Sequence, residues 1–99
     1  MNIEMSADKK NVTVHLTGEV DALNAPDIEE KIIEKIPVAE EIIIDAAGLE
    51  YISSSGLRIL LVAQKAMKNK GCHMVIKHVN EDVMDVFNVT GFAKLLDIA

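Results

Sequence analysis

Aromatic side chains are scarce in this chain: two Phe, one Tyr and no Trp among 99 residues. Any core must be built from Ile, Val, Leu and Met, and a hydrophobic content of 49% is ample for one. Cysteine occurs once, at Cys72, which excludes an internal disulfide and suits a reducing, cytoplasmic setting. Beside a strand, Cys72 is expected to act as a small buried hydrophobe. Cations are outnumbered, ten Lys and Arg against sixteen Asp and Glu, for a formal charge of −6 and a pI near 4.9. Phosphate backbones need clustered cations, so scattered ones in an acidic chain argue against nucleic acid, and also against anionic membranes. Long apolar runs are missing, so no segment reads as a bilayer span. The opening Met1-Asn2-Ile3-Glu4 lacks the basic start and apolar stretch of a secretory signal. The length fits a single domain over residues 1–99, with no internal repeat, linker or low-complexity stretch.

What is present is a regular alternation of element types. Ile3 and Met5 alternate with polar neighbours, and "SADKKN" reads as a turn into "VTVHLTGEV". There Val12, Val14 and Leu16 occupy one face and Thr13, His15 and Thr17 the other, which predicts an antiparallel hairpin with one wet face. His15 is expected to be solvated. "NAPDIEEKIIEKI" predicts a helix with Asn24 as N-cap, Asp27 completing a capping box, Pro26 in the first turn, and Ile28, Ile32 and Ile36 buried. Pro37 ends it. "EEIIID" predicts a short central strand buried on both faces. "GLRILLVAQKAMKNKG" predicts a helix of about four turns closed by Gly71. Leu57, Leu60, Leu61 and Gln64 run down one side, and Ile59 and Val62 form an apolar shoulder. "CHMVIKHV" is a further strand, "EDVMDVFNVTG" a last helix and "KLLDIA" a closing strand. The fold class is α/β: a mixed sheet with an N-terminal hairpin and about three helices packed against it.

The connection between the central strand and the central helix carries Ser53, Ser54, Ser55 and Gly56. A helix start needs one capping hydroxyl, so the surplus calls for another use. Open α/β sheets place functional loops beyond the carboxyl ends of strands, and a phosphate is well accommodated at a helix start. A hydrolase elbow of the form G-x-S-x-G does not fit, because Ile52 and Ser53 stand where its first glycine is required. His15, His73 and His78 all fall in strand segments with no evident route to Ser54. No phosphate-cradling "GK[ST]" follows Gly48 or Gly56, and no metal-ligand cluster is visible.

"VHLTGEVDALNAPDIEEKI", "EEIIIDAAGLEYISSSGLRILL" and "DVFNVTGFAKLLDI" resemble, in order and over essentially the whole chain, three signature regions of the STAS domain. The likeness is to bacterial anti-sigma-factor antagonists. It implies a switch without catalysis or cofactor by this chain. The unmodified protein binds an anti-sigma factor that is also a serine-protein kinase, and a sigma factor is freed. Phosphorylation by ATP separates the pair, and a serine phosphatase resets it. The acceptor position two residues before the motif glycine maps to Ser54, and the acidic residue of the G-[EDR]-[LIV]-D turn maps to Asp21. Asn24, Ser53, Ser55, Gly56 and Arg58 complete the expected partner-binding rim. Ser53 stands where many family members carry Asp, which makes it a competing acceptor, and Arg58 replaces a frequent small residue. The alternatives are a non-switching STAS docking subunit of a signalling or lipid-transport assembly, and a small-molecule or nucleotide sensor.

Overall fold

The structure is a computed structural model that describes residues 3–8 and 10–99. Lys9, within the predicted hairpin turn, lies outside the described residues, as do Met1 and Asn2. Strands β1 (Ile3–Asp8) and β2 (Asn11–Val20) form the hairpin. They are followed by α1 (Ala25–Lys35), β3 (Glu41–Ile52), α2 (Ser54–Asn69), β4 (His73–Lys77), α3 (Glu81–Thr90) and a short 3-10 turn, Phe92–Lys94. The sheet runs in the order β1-β2-β3-β4. Its first pair is antiparallel and the other two are parallel.

Alternation along each strand sets the layers. Val12, Val14 and Leu16 of β2, Ile42 and Ile44 of β3, and Met74 and Ile76 of β4 are all buried. They meet Ile28 and Ile32 of α1, Leu57, Leu60 and Met67 of α2, and Val83 and Phe87 of α3 in one core that is aliphatic apart from the fully buried Phe87. Burying side chains of this size is worth about 1.5–3 kcal/mol each before the opposing chain entropy. The other face of the sheet is only half-covered: Thr13, Ile43 and Val75 form one row across it, His15, Asp45 and Lys77 the next. The central strand is therefore not buried on both faces as its run of isoleucines suggests. His15 is not simply solvated either, since its Nδ1 lies 2.8 Å from Asp45 Oδ2.

Two further expectations are corrected. β3 does not stop at Asp45 but continues to Ile52, with Ala46, Leu49 and Ile52 buried. It passes register shifts opposite Thr17 and Gly18, where the period of two that reveals a strand is lost. The closing segment is not a strand. Gly91, at φ 83°, ends α3, the chain turns through Phe92–Lys94, and only Ile98 bridges to Ile76. Gln64, buried in α2, holds this segment: its Nε2 donates to the Leu95 carbonyl and its Oε1 accepts the Asp97 N–H, both at 2.6 Å. The side chain thus supplies hydrogen bonds that a neighbouring strand would otherwise provide. Cys72 is half-buried against the core.

Candidate functional site

The site is assembled where β2 and β3 end together. Val20 pairs with Ile52, and the Ser53 N–H donates to the Val20 carbonyl at 2.8 Å, so both chains leave the sheet at one level. One continues into the 21–24 turn and α1, the other into α2. This brings Asp21 and Asn24 to the same rim as the serines.

The three serines differ in environment. Ser53, in extended conformation, is the N-cap of α2, and its Oγ accepts the Gly56 N–H at 3.3 Å. Ser54 is the first helical residue; it is exposed, and its hydroxyl makes no hydrogen bond among the described residues. Ser55 is half-buried and faces α1 across a cleft of about 180 Å³. Ala22, Pro26 and Glu29 line the cleft on one side and Ser55, Arg58 and Ile59 on the other. It is small against the roughly 300–1,000 Å³ of ordinary ligand pockets.

The 21–24 turn is cross-braced by its own side chains. Asp21 Oδ1 accepts the N–H groups of Leu23 (2.9 Å) and Asn24 (3.2 Å). Asn24 Oδ1 accepts the Asp21 N–H at 2.9 Å, and its Nδ2 donates to the Glu19 carbonyl at 2.8 Å. Asn24 is therefore not the capping-box residue that its spacing to Asp27 suggests; α1 starts without a side-chain cap bond, and Pro26 sits in its first turn. The helical amides lost their expected acceptor because Asn24's oxygen is taken by the Asp21 N–H behind it. The bracing leaves Leu23 91% exposed on a fixed backbone. No periodicity points to Leu23; its signal in the sequence is a large aliphatic side chain inside a turn, outside any helical or strand period.

Gly56 is buried, and a Cβ there would stand 2.7 Å from both Val20 Cγ1 and Ile52 Cγ1. The glycine is required by α2 seating on the ends of β2 and β3, an internal demand. Of the expected apolar shoulder, Val62 is 41% exposed but Ile59 is only 6% exposed, so Ile59 belongs to the core and the cleft wall. Arg58 is exposed one helical turn after Ser54.

Away from this rim, Asp45 is the one carboxylate among the described residues with a clear displacement. Its Oδ1 accepts the Ala47 N–H at 3.0 Å. That bond, opposed by partial desolvation and helped by the His15 hydrogen bond and charge, holds the carboxyl below its ordinary value. Among the described residues, no three His, Cys, Asp or Glu side chains gather as metal ligands, and no helix is long and apolar enough to cross a membrane.

A family model described as the STAS domain matches residues 2–99. The chain is 23% identical to the anti-sigma-B factor antagonist of Bacillus subtilis (strain 168), over 100% of this chain and 91% of that protein. Its fold superposes on the anti-sigma factor antagonist SpoIIAA in its unphosphorylated form with a TM-score of 0.85 at 21% identity, covering 98% of this chain and 87% of that one. The Bacillus cell fate determinant SpoIIAA in the phosphorylated form gives 0.78 at 20% identity, covering 98% and 90%.

Proposed function

The chain belongs to the STAS domain family, and we propose that within it this protein is an anti-sigma-factor antagonist controlled by phosphorylation of Ser54. Unmodified, it binds an anti-sigma factor that is also a serine-protein kinase, and so frees a sigma factor. Transfer of the γ-phosphoryl group of ATP to Ser54 releases it, and a serine phosphatase restores it. The chain is the substrate of this exchange and not its enzyme, needs no cofactor, and works in the cytoplasm as one STAS unit over residues 1–99.

The carrying observation is the surplus hydroxyl. Ser53 already caps α2, which leaves Ser54 exposed, unbonded among the described residues and free for modification. The name of the Bacillus subtilis relative points the same way, and the SpoIIAA structures are of unphosphorylated and phosphorylated forms of that protein. A partner seated on Asp21, Asn24, Ser53, Ser55 and Arg58, with Leu23 and Val62 as apolar contacts, would cover Ser54. Gly56 contributes by fixing the height of the turn. A phosphate adds about −1.5 to −2 charges. Trapping such a charge in an interface shaped for a neutral hydroxyl costs roughly 2–5 kcal/mol, enough to separate it.

The test is capture of partners from the native host's lysate with wild type and Ser54→Asp in parallel. Retention of an ATP-binding serine kinase by wild type and its loss by Ser54→Asp is the expected result. Identical partners on both proteins would reduce Ser54 to a structural residue and the chain to a static dock.

A further inference from the structure

We propose that Arg58 is the intramolecular partner of a phosphate on Ser54, so that modification both adds a dianion to the rim and withdraws from it a free cation. This rests on the reading of Ser54 as acceptor and deepens it. In the modification, Ser54 Oγ attacks the γ-phosphorus of ATP, the bond to the β–γ bridging oxygen breaks, ADP leaves, and the hydroxyl proton passes to solvent or a kinase base. The product is a phosphomonoester at the first helical position of α2.

Ser54 and Arg58 are four residues apart on one helix and both are exposed. Side chains at this spacing are neighbours, and an acid N-terminal to a base at i, i+4 is the more favourable order. The guanidinium is available, since Arg58 makes no hydrogen bond or ion pair with any described residue. Glu29 lines the same cleft from α1 yet is not paired with it. A phosphomonoester offers about twice the charge of that carboxylate, with oxygens that fit the guanidinium fork in bidentate fashion. The unmodified protein therefore presents Arg58 outward, and the modified one turns it back along α2. A partner carboxylate that met Arg58 loses that contact at the same moment the phosphate appears.

The charged groups closest to this turn along the chain are Glu19 and Asp21 at the end of β2, Asp27, Glu29 and Glu30 in the first turns of α1 and Glu50 near the end of β3, while the bases Lys31 and Lys35 of α1 and Lys65 and Lys68 of α2 stand farther along their helices. The acids would raise the second pKa of the phosphate and the bases would lower it, equally in every variant at position 58. The helix amides would lower it too, again equally. The experiment is therefore a ³¹P NMR pH titration at low salt of protein carrying genetically encoded phosphoserine at position 54, compared among wild type, Arg58→Lys and Arg58→Gln. The expected second pKa in wild type lies about 0.2–0.4 below that of Arg58→Gln, with Arg58→Lys between them and the gap closing at high salt. Equal values in wild type and Arg58→Gln would overturn the pairing. Because the phosphate is installed without a kinase, the two readings fail separately. Partner capture lost on Ser54→Asp with no titration difference leaves the switch and removes the clamp. A titration difference without a kinase partner leaves the clamp and removes the switch.

Discussion

Helices α2 and α3 begin at comparable places, each just beyond the sheet, yet they are built differently. α3 starts from Asn80, whose Oδ1 accepts the Val83 N–H at 2.9 Å while its Nδ2 donates to the Leu49 carbonyl at 2.7 Å. Glu81 and Asp82 follow in the first turn, where the helix dipole favours acids, and buried Val83 anchors the turn in the core. α2 starts from Ser53 with a longer cap of 3.3 Å, has no acid in its first turn, and places Gly56 where α3 has Val83. The α3 start is optimised as structure. The α2 start leaves its acidic slot to an uncharged, exposed hydroxyl, the acceptor in the proposed switch. The start of α2 thus forgoes the stabilisation that α3 uses, at the position where we propose the switch.

The difference between the two helix starts is largest in energy at Gly56. Gly56→Val should cost about 2–3 kcal/mol in denaturant unfolding, because Val20 and Ile52 are β-branched and cannot swing clear of the added carbons. A cost below about 0.5 kcal/mol would mean that α2 can lift off the strand ends freely. The caps come next. Asn80→Ala should cost about 1–2 kcal/mol, since it also strands the Leu49 carbonyl, and Ser53→Ala about 0.5–1 kcal/mol. The reverse order would show that the serine turn carries more of the fold than its geometry indicates.

A smaller effect, away from both helix starts, concerns pH. The Asp45 carboxyl titrates below its ordinary 3.8, mainly through the Ala47 N–H. Its stabilisation is thus complete above that value and is lost as pH falls through the lowered one. Asp45→Asn should flatten the acid limb of a melting-temperature profile. An unchanged acid limb would remove Asp45 from the balance. The smallest effect belongs to Ser54. Ser54→Asp should stay folded within about 0.5 kcal/mol of wild type, as an exposed acid in a first turn is tolerated or mildly favourable. A drop in melting temperature of more than about 10 °C would contradict the split between structural and functional serines.

Much of this was legible in the sequence because period and punctuation agree. The hairpin, three helices and the turn Ser53–Gly56 follow from alternation, four-residue isoleucine spacing and serine before a helical run. The remainder turned on competition between partners that spacing does not resolve. Asn24 has one side-chain oxygen, and the Asp21 N–H takes it instead of a helix amide. β3 beyond Asp45 was hidden because the register shifts beside Thr17 and Gly18 erase its alternation. Gln64, a polar residue on an apolar stripe, was the available sign that α2 clamps a neighbour, but its target, the backbone of Leu95 and Asp97, lies more than thirty positions away. Ile59 reads as a partner contact in the sequence because nothing in the helix's own period shows that α1 lies across it.

The most direct test of the central claim is mapping of the modified position. The purified protein, incubated with ATP and the serine kinase it captures, would be digested and its phosphopeptides sequenced by tandem mass spectrometry. Phosphate on Ser54 alone, abolished in Ser54→Ala, is the predicted result. Phosphate on Ser53 or Ser55, or a chain that the captured kinase leaves unmodified, would contradict it.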